Sequence, residues 1–141
     1  MSRANEAIAC FNNGFNCAQS VFSAYCEQFG LDKTTALKLS CGFGAGMGRM
    51  GDTCGAVTGA YLLIGLKHGK CTEEDNQAKE KTYALVQEFS KRFKEKNGTT
   101  ICRELIQADF LSDDQQAVLA KVKIICPKMI ADACEILDEI L

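Results

Sequence analysis

Apolar residues recur at every third or fourth position along most of this chain, the spacing that places them on one face of an α-helix. No segment sustains the alternation of apolar and polar residues that is typical of half-buried strands. The pattern therefore predicts an all-α fold, a bundle of about six to eight helices in a single domain over residues 1–141. The predicted helices cover residues 2–13, 17–29, 33–41, 54–68, 73–97, 102–106, 112–122 and 126–141.

A glycine-rich segment, residues 42–51, precedes the most apolar of these helices. Glycine at this density makes an ordered backbone costly, so we expect a loop there rather than a helix or a strand. Gly51, Gly55 and Gly59 follow one another at intervals of four residues and leave one face of the next helix without side chains. We expect another helix to pack very close to that face.

Composition and charge exclude several classes of partner. The chain is 47% hydrophobic and 24% charged, with a net charge of −2, so nothing in it favours nucleic acid or an anionic membrane. The apolar stretch 56–66 is far shorter than the roughly 20 residues that cross a bilayer. Its apolar surface is explained either by burial within the chain or by a homodimer contact. Because the N-terminus lacks the pattern of a secretory signal, we expect a cytoplasmic protein.

Four of the nine cysteines lie at predicted helix starts: Cys17, Cys54, Cys102 and Cys126. Unpaired backbone N–H groups and the positive end of the helix dipole favour a thiolate at such positions. An odd number of cysteines without a secretory signal argues for a reducing compartment, where thiols serve metals or redox chemistry. These four residues are therefore the candidate ligands or redox groups.

No two cysteines have the Cys-x-x-Cys spacing of zinc ribbons, bacterial ferredoxins or thioredoxin-like dithiols, so only tertiary structure can bring the four together. An iron–sulfur cluster on Cys17, Cys54, Cys102 and Cys126 is the leading hypothesis, with Gly55 and Gly59 allowing the backbone to approach the cofactor. One alternative is a thiol–disulfide protein that uses two of these cysteines. Another is a structural or interaction module with a four-cysteine zinc site.

Several short motifs resemble the redox-active C_GCAxxG_C_C family. They are Gly14-Phe15-Asn16-Cys17-Ala18-Gln19, the segment 42–48, Cys54-Gly55-Ala56-Val57-Thr58-Gly59, Cys102-Arg103-Glu104-Leu105 and Cys126-Pro127-Lys128. The resemblance implies four signature cysteines, which map to Cys17, Cys54, Cys102 and Cys126, and a redox role with a redox partner protein that the sequence does not identify. A related domain accompanies haem and an iron–sulfur centre in split-Soret cytochromes, but no Cys-x-x-Cys-His for covalent haem is present here.

Overall fold

A computed structural model describes residues 3–141 and confirms the all-α prediction. The helices are α1 (Ala4–Asn12), α2 (Cys17–Tyr25), α3 (Lys33–Ser40), α4 (Gly44–Met47), α5 (Gly55–His68), α6 (Asn76–Asn97), α7 (Cys102–Ile106) and α8 (Gln115–Ile140). Short 3₁₀ turns, Cys26–Phe29 and Cys41–Phe43, follow α2 and α3. Within residues 3–141 there is no strand, and the only ladder contact is one antiparallel bridge between Thr53 and Ile101. Ser2, where the first helix was predicted to begin, lies outside the described residues.

Helix starts follow the capping side chains in the sequence. Asn16 and Gln19 form a reciprocal capping box at α2, in which the Asn16 side chain accepts from the Gln19 N–H and the Gln19 side chain accepts from the Asn16 N–H. The carboxylates of Asp32, Asp75 and Asp114 accept backbone N–H groups at the starts of α3, α6 and α8. These caps place the helix boundaries close to where the sequence predicts them.

Helix α5 is the centre of the bundle and packs against α2, α6 and α8. The close approach predicted for its glycine face is confirmed, because a Cβ atom at Gly59 would lie 2.8 Å from the carbonyl oxygen of Ala18 in α2. At Gly55, a Cβ would lie 2.9 Å from the Ala18 nitrogen. The core around these helices contains the fully buried Leu63 and Ile64 of α5.

The C-terminal part of the chain differs from the prediction. The two helices expected at 112–122 and 126–141 are one continuous helix, α8, with Pro127 inside it. Proline in a helix interior removes one hydrogen bond and costs about 3 kcal/mol. An apolar stripe at intervals of three and four residues continues past the proline and is buried at Val118, Cys126, Met129, Ile130, Ala133, Cys134 and Leu137. Burial of this stripe offsets the cost of the proline.

The glycine-rich segment also differs from the expected loop. It contains the one-turn helix α4, and five consecutive residues, 45–49, have positive φ angles of 55°, 64°, 66°, 58° and 69°. The turn is therefore left-handed, which costs roughly 1–2 kcal/mol for each residue that carries a side chain. Ala45, Met47 and Arg49 are such residues. Glycine at the other two positions makes the turn accessible.

Candidate functional site

The structure brings Cys17, Cys54, Cys102 and Cys126 to the wall of one cavity of about 90 Å³. All four side chains are buried, with 4 to 7% of their surface exposed. The rest of the wall is mainly apolar and includes Phe11, Leu105, Ile106, Phe110, Val122 and Met129. Four thiols that are remote in sequence thus line one cavity with mainly apolar walls.

Backbone hydrogen bonds hold two of these cysteines beside each other. The Cys54 N–H donates to the Thr100 carbonyl oxygen at 2.8 Å, and the Cys102 N–H donates to the Asp52 carbonyl oxygen at 2.6 Å. Together with the bridge between Thr53 and Ile101, these bonds join the segment before α5 to the segment before α7. The start of each helix is therefore fixed relative to the other.

Three of the four cysteines occupy helix starts, as predicted. Cys17 is the first residue of α2, Cys102 is the first residue of α7, and Cys54 directly precedes α5. The prediction is wrong for Cys126, which lies in the interior of α8 just before Pro127. Cys126 reaches the cavity because it shares a helix face with Val122 and Met129, which also line the wall.

Glycines allow the backbone to approach the thiols closely. A Cβ atom at Gly46, in the left-handed turn, would lie 2.7 Å from the Cys102 Cβ, and one at Gly55 would lie 3.1 Å from the Cys17 Cβ. Gly55 lines the cavity, whereas the residues found in the wall do not include Gly59, which faces Ala18 of α2 instead. Gly46 belongs to the glycine-rich segment 42–51, but nothing in the sequence marks it as the glycine that approaches Cys102.

Cys17 and Cys126 interact with each other across the cavity wall. The interaction with the Cys17 thiol lowers the pKa of Cys126 below its ordinary value. The same interaction, followed by burial and by the nearby sulfurs of Cys126, Cys54 and Cys102, raises the pKa of Cys17 well above its ordinary value. The first proton therefore leaves this pair more easily than the second.

The other two thiols differ from the thiolates expected at helix starts. Burial raises the pKa of Cys54 to about 12, although the Ala56 and Val57 N–H groups at the start of α5 act in the opposite direction. Burial, followed by the charges of Cys54 and Cys126, raises the pKa of Cys102 to about 12. In the absence of a bound cation, desolvation thus outweighs the N–H groups that favour a thiolate.

The remaining cysteines lie outside the cavity wall. Cys26 and Cys134 are fully buried elsewhere in the core, and Cys41 and Cys71 are exposed. Cys10 is half-buried, with its Sγ atom 3.7 Å from Ser23 Oγ. All nine cysteines, each of which lies among the described residues, are free thiols. The separation between signature and non-signature cysteines is therefore also a separation in space.

Four thiols are a suitable donor set for an iron–sulfur cluster or for zinc. Among residues 3–141, however, no three Cys, His, Asp or Glu side chains stand where they could hold one metal ion together. A single tetrahedral ion needs all its ligands at about 2.3 Å from one point. In a cluster on four cysteines the thiolates bind different irons. The four sulfurs therefore do not all have to surround one point.

The comparisons with known proteins agree with the cysteine pattern. A sequence profile described as "Putative redox-active protein (C_GCAxxG_C_C)" matches residues 15–140. No curated protein and no solved structure matches this chain.

Among residues 3–141, no helix combines the length and the apolar character that crossing a bilayer requires.

Proposed function

Because this chain belongs to the C_GCAxxG_C_C family of redox-active proteins, we propose that Cys17, Cys54, Cys102 and Cys126 hold an iron–sulfur cluster that transfers electrons or senses redox state. The observation that carries the proposal is the shared cavity: four buried thiols from four different helices line it. Thiols serving only as core filler would have no reason to meet.

The surroundings of the four thiols suit a negatively charged sulfur-rich group. Apolar side chains such as Leu105 and Ile106 exclude water from the cavity. The N–H groups of Ala56 and Val57 at the start of α5 lower the pKa of Cys54 and so favour its charged form. A cluster bound here would supply one-electron chemistry. On binding, the thiols of Cys54 and Cys102 would have to release protons that they otherwise hold tightly.

The arrangement supports a cluster more than a single zinc ion. A structural zinc site would need at least three of the thiols to converge on one point, and no such group is found among residues 3–141. Four thiols that line one cavity of about 90 Å³ are the number of ligands that an iron–sulfur cluster takes from cysteines.

Reconstitution with iron and sulfide under anaerobic conditions tests this proposal. We expect the full chain to take up iron and acid-labile sulfide and to show visible absorption that bleaches on reduction. Single Cys→Ser substitutions at residues 17, 54, 102 and 126 should each reduce the iron bound per chain.

The matched control is Cys134→Ser, which replaces an equally buried cysteine that does not line the cavity. This variant should bind as much iron as the unmodified chain. A protein that stays colourless and free of iron after reconstitution, or iron binding that falls equally in Cys134→Ser, would contradict the cluster proposal.

The place of Cys17 and Cys126 on one cavity wall, together with their opposite pKa shifts, favours a second candidate function, a thiol–disulfide couple. Cys126, whose pKa is lowered, is the better nucleophile of the pair. Oxidation would join the two sulfurs and pass two electrons and two protons to a disulfide substrate, which would leave as two thiols.

Mild oxidation of the metal-free chain, followed by mass spectrometry of its peptides, tests this candidate. A thiol–disulfide protein should lose two thiols reversibly and yield a peptide pair linked through Cys17 and Cys126. Cys54→Ser should leave the linkage intact, and Cys126→Ser should abolish it. Random linkages that include the exposed Cys41 or Cys71 would rule out a dedicated pair.

A further inference from the structure

A groove of about 750 Å³ adjoins the cysteine cavity. It runs between the end of α1, the start of α2, the left-handed turn and the first half of α8. The groove and the cavity share five wall residues, which are Phe11, Asn16, Ala45, Phe110 and Val122. Its volume is in the range of pockets that bind small organic molecules.

The charged residues of the groove wall have a single sign. Arg49 and Lys123 line it, and none of the wall residues that the structure describes is acidic, although the whole chain carries a net charge of −2. Both cations are exposed, and neither forms an ion pair within residues 3–141. The groove therefore favours a ligand with negative charge.

Acidic residues do occur in the neighbouring loop, but their carboxylates are engaged with backbone groups. Asp109 accepts from the Leu111 N–H, Asp113 from the Asp109 N–H, and Asp114 from the Ala117 N–H at the start of α8. The positive end of this long helix also lies at the groove, where Gln115 and Gln116 form part of the wall. The three carboxylates stay charged, but none of them lines the groove wall, where Arg49 and Lys123 are the charged side chains.

Three aromatic rings and four amide side chains complete the wall. Phe15 is 39% exposed, whereas Phe11 and Phe110 are partly buried and separate the groove from the cavity. The amides belong to Asn12, Asn16, Gln115 and Gln116, of which Asn16 already bonds the Gln19 N–H and the Cys41 carbonyl and Gln115 already donates to the Phe110 carbonyl. Aromatic rings pack well against a flat ring system, and amides can both donate and accept hydrogen bonds at its edge.

From these features we infer that the groove is a binding site for a small, planar aromatic molecule that carries a negatively charged group. The ring system lies against the phenylalanine side chains, and the anionic group lies near Arg49 and Lys123. The inference deepens the proposed function and rests on it in one respect: a redox-active ligand here would be separated from the thiols only by the shared wall residues, so it would exchange electrons with that centre.

Titration of the full chain with flavin mononucleotide tests the binding site, with riboflavin and anthraquinone-2,6-disulfonate as companion probes. Flavin mononucleotide and riboflavin have the same ring system, but only the former carries a phosphate. We expect saturable binding of both anionic probes and binding of riboflavin that is weaker by about tenfold or more. Added salt should reduce this difference.

The double variant Arg49→Gln/Lys123→Gln should remove most of the preference for the charged flavin, with a much smaller effect on riboflavin binding. Lys91→Gln/Lys94→Gln is the matched control, since it removes the same charge from exposed positions on α6 that do not line the groove. Phe15→Ala should weaken the binding of all three aromatic probes.

Several outcomes would overturn the inference. These are a lack of saturation by either anionic probe up to about 1 mM, equal effects of the two double variants, and full displacement of the flavin by inorganic phosphate at similar concentration, which would indicate an ion site only. The result is independent of the cluster, because Cys17→Ser/Cys126→Ser, which should lack the centre, is expected to bind the flavin normally. Flavin binding by an unmodified chain that takes up no iron and sulfide would contradict only the proposed function.

Discussion

Strain at single residues is concentrated beside the candidate site. Ala45, Met47 and Arg49 all have left-handed φ angles, a conformation that residues with side chains rarely adopt. The turn that they form holds the Asp52 N–H on the Gly46 carbonyl oxygen at 2.9 Å. It thereby presents the Asp52 carbonyl to Cys102. Backbone strain of this kind persists where the surrounding contacts fix the chain, and it is typical of functional sites.

The substitution Ala45→Gly measures this strain. Glycine adopts the φ of 55° found at this position without steric cost, so we expect the free energy of unfolding to rise by about 1 kcal/mol. Ala9→Gly is the control, because Ala9 is an exposed residue inside the right-handed helix α1 and its replacement should lower that free energy by about 1 kcal/mol. Urea denaturation of both variants gives the comparison. Destabilisation by Ala45→Gly would show that the turn stores no strain.

At the scale of the helices, the sequence predicts most of the fold because the local signals agree with one another. Asn16 and Asp32 cap the helices predicted to follow them, whereas Asp75, predicted inside a helix that begins at residue 73, is the cap of α6. Gly30 and Gly98 end two of the helical segments in the left-handed conformation. Pro127 is equally suited to the first turn of a new helix, so the sequence predicts a break where α8 has none. Only the buried stripe on both sides of Pro127 makes α8 continuous, and that burial depends on tertiary packing.

The contact between α2 and α5 predicts that alanine substitutions at two glycines of α5 change the free energy of unfolding in opposite directions. Gly59→Ala would place a methyl group 2.8 Å from a backbone oxygen of α2, so we expect a loss of about 1–3 kcal/mol in the free energy of unfolding. A Cβ atom at Gly65 would meet nothing within 4 Å. Because alanine has the higher helix propensity, Gly65→Ala should raise the free energy of unfolding by up to about 1 kcal/mol. Thermal and chemical denaturation of the two variants measure both effects. Equal changes would contradict the close packing at Gly59.

At the scale of the whole molecule, the candidate site could be predicted only in part. The sequence identifies Cys17, Cys54, Cys102 and Cys126 by their positions and by the family motifs, and the structure places all four on one cavity. The sequence cannot show that Cys17 and Cys126 influence each other's pKa, because that depends on how α2 and α8 pack against each other. Phe11 and Phe110 line the cavity from distant parts of the chain, so no local sequence pattern predicts their place in its wall.

Native mass spectrometry of the chain purified without oxygen tests the central claim most directly, because it reports the mass of whatever the four cysteines hold. The account predicts an added mass of iron and sulfide on the unmodified chain and on Cys134→Ser, and loss of that mass in each single Ser variant at residues 17, 54, 102 and 126. A chain with the bare polypeptide mass, which stays so after reconstitution with iron and sulfide, would contradict the claim.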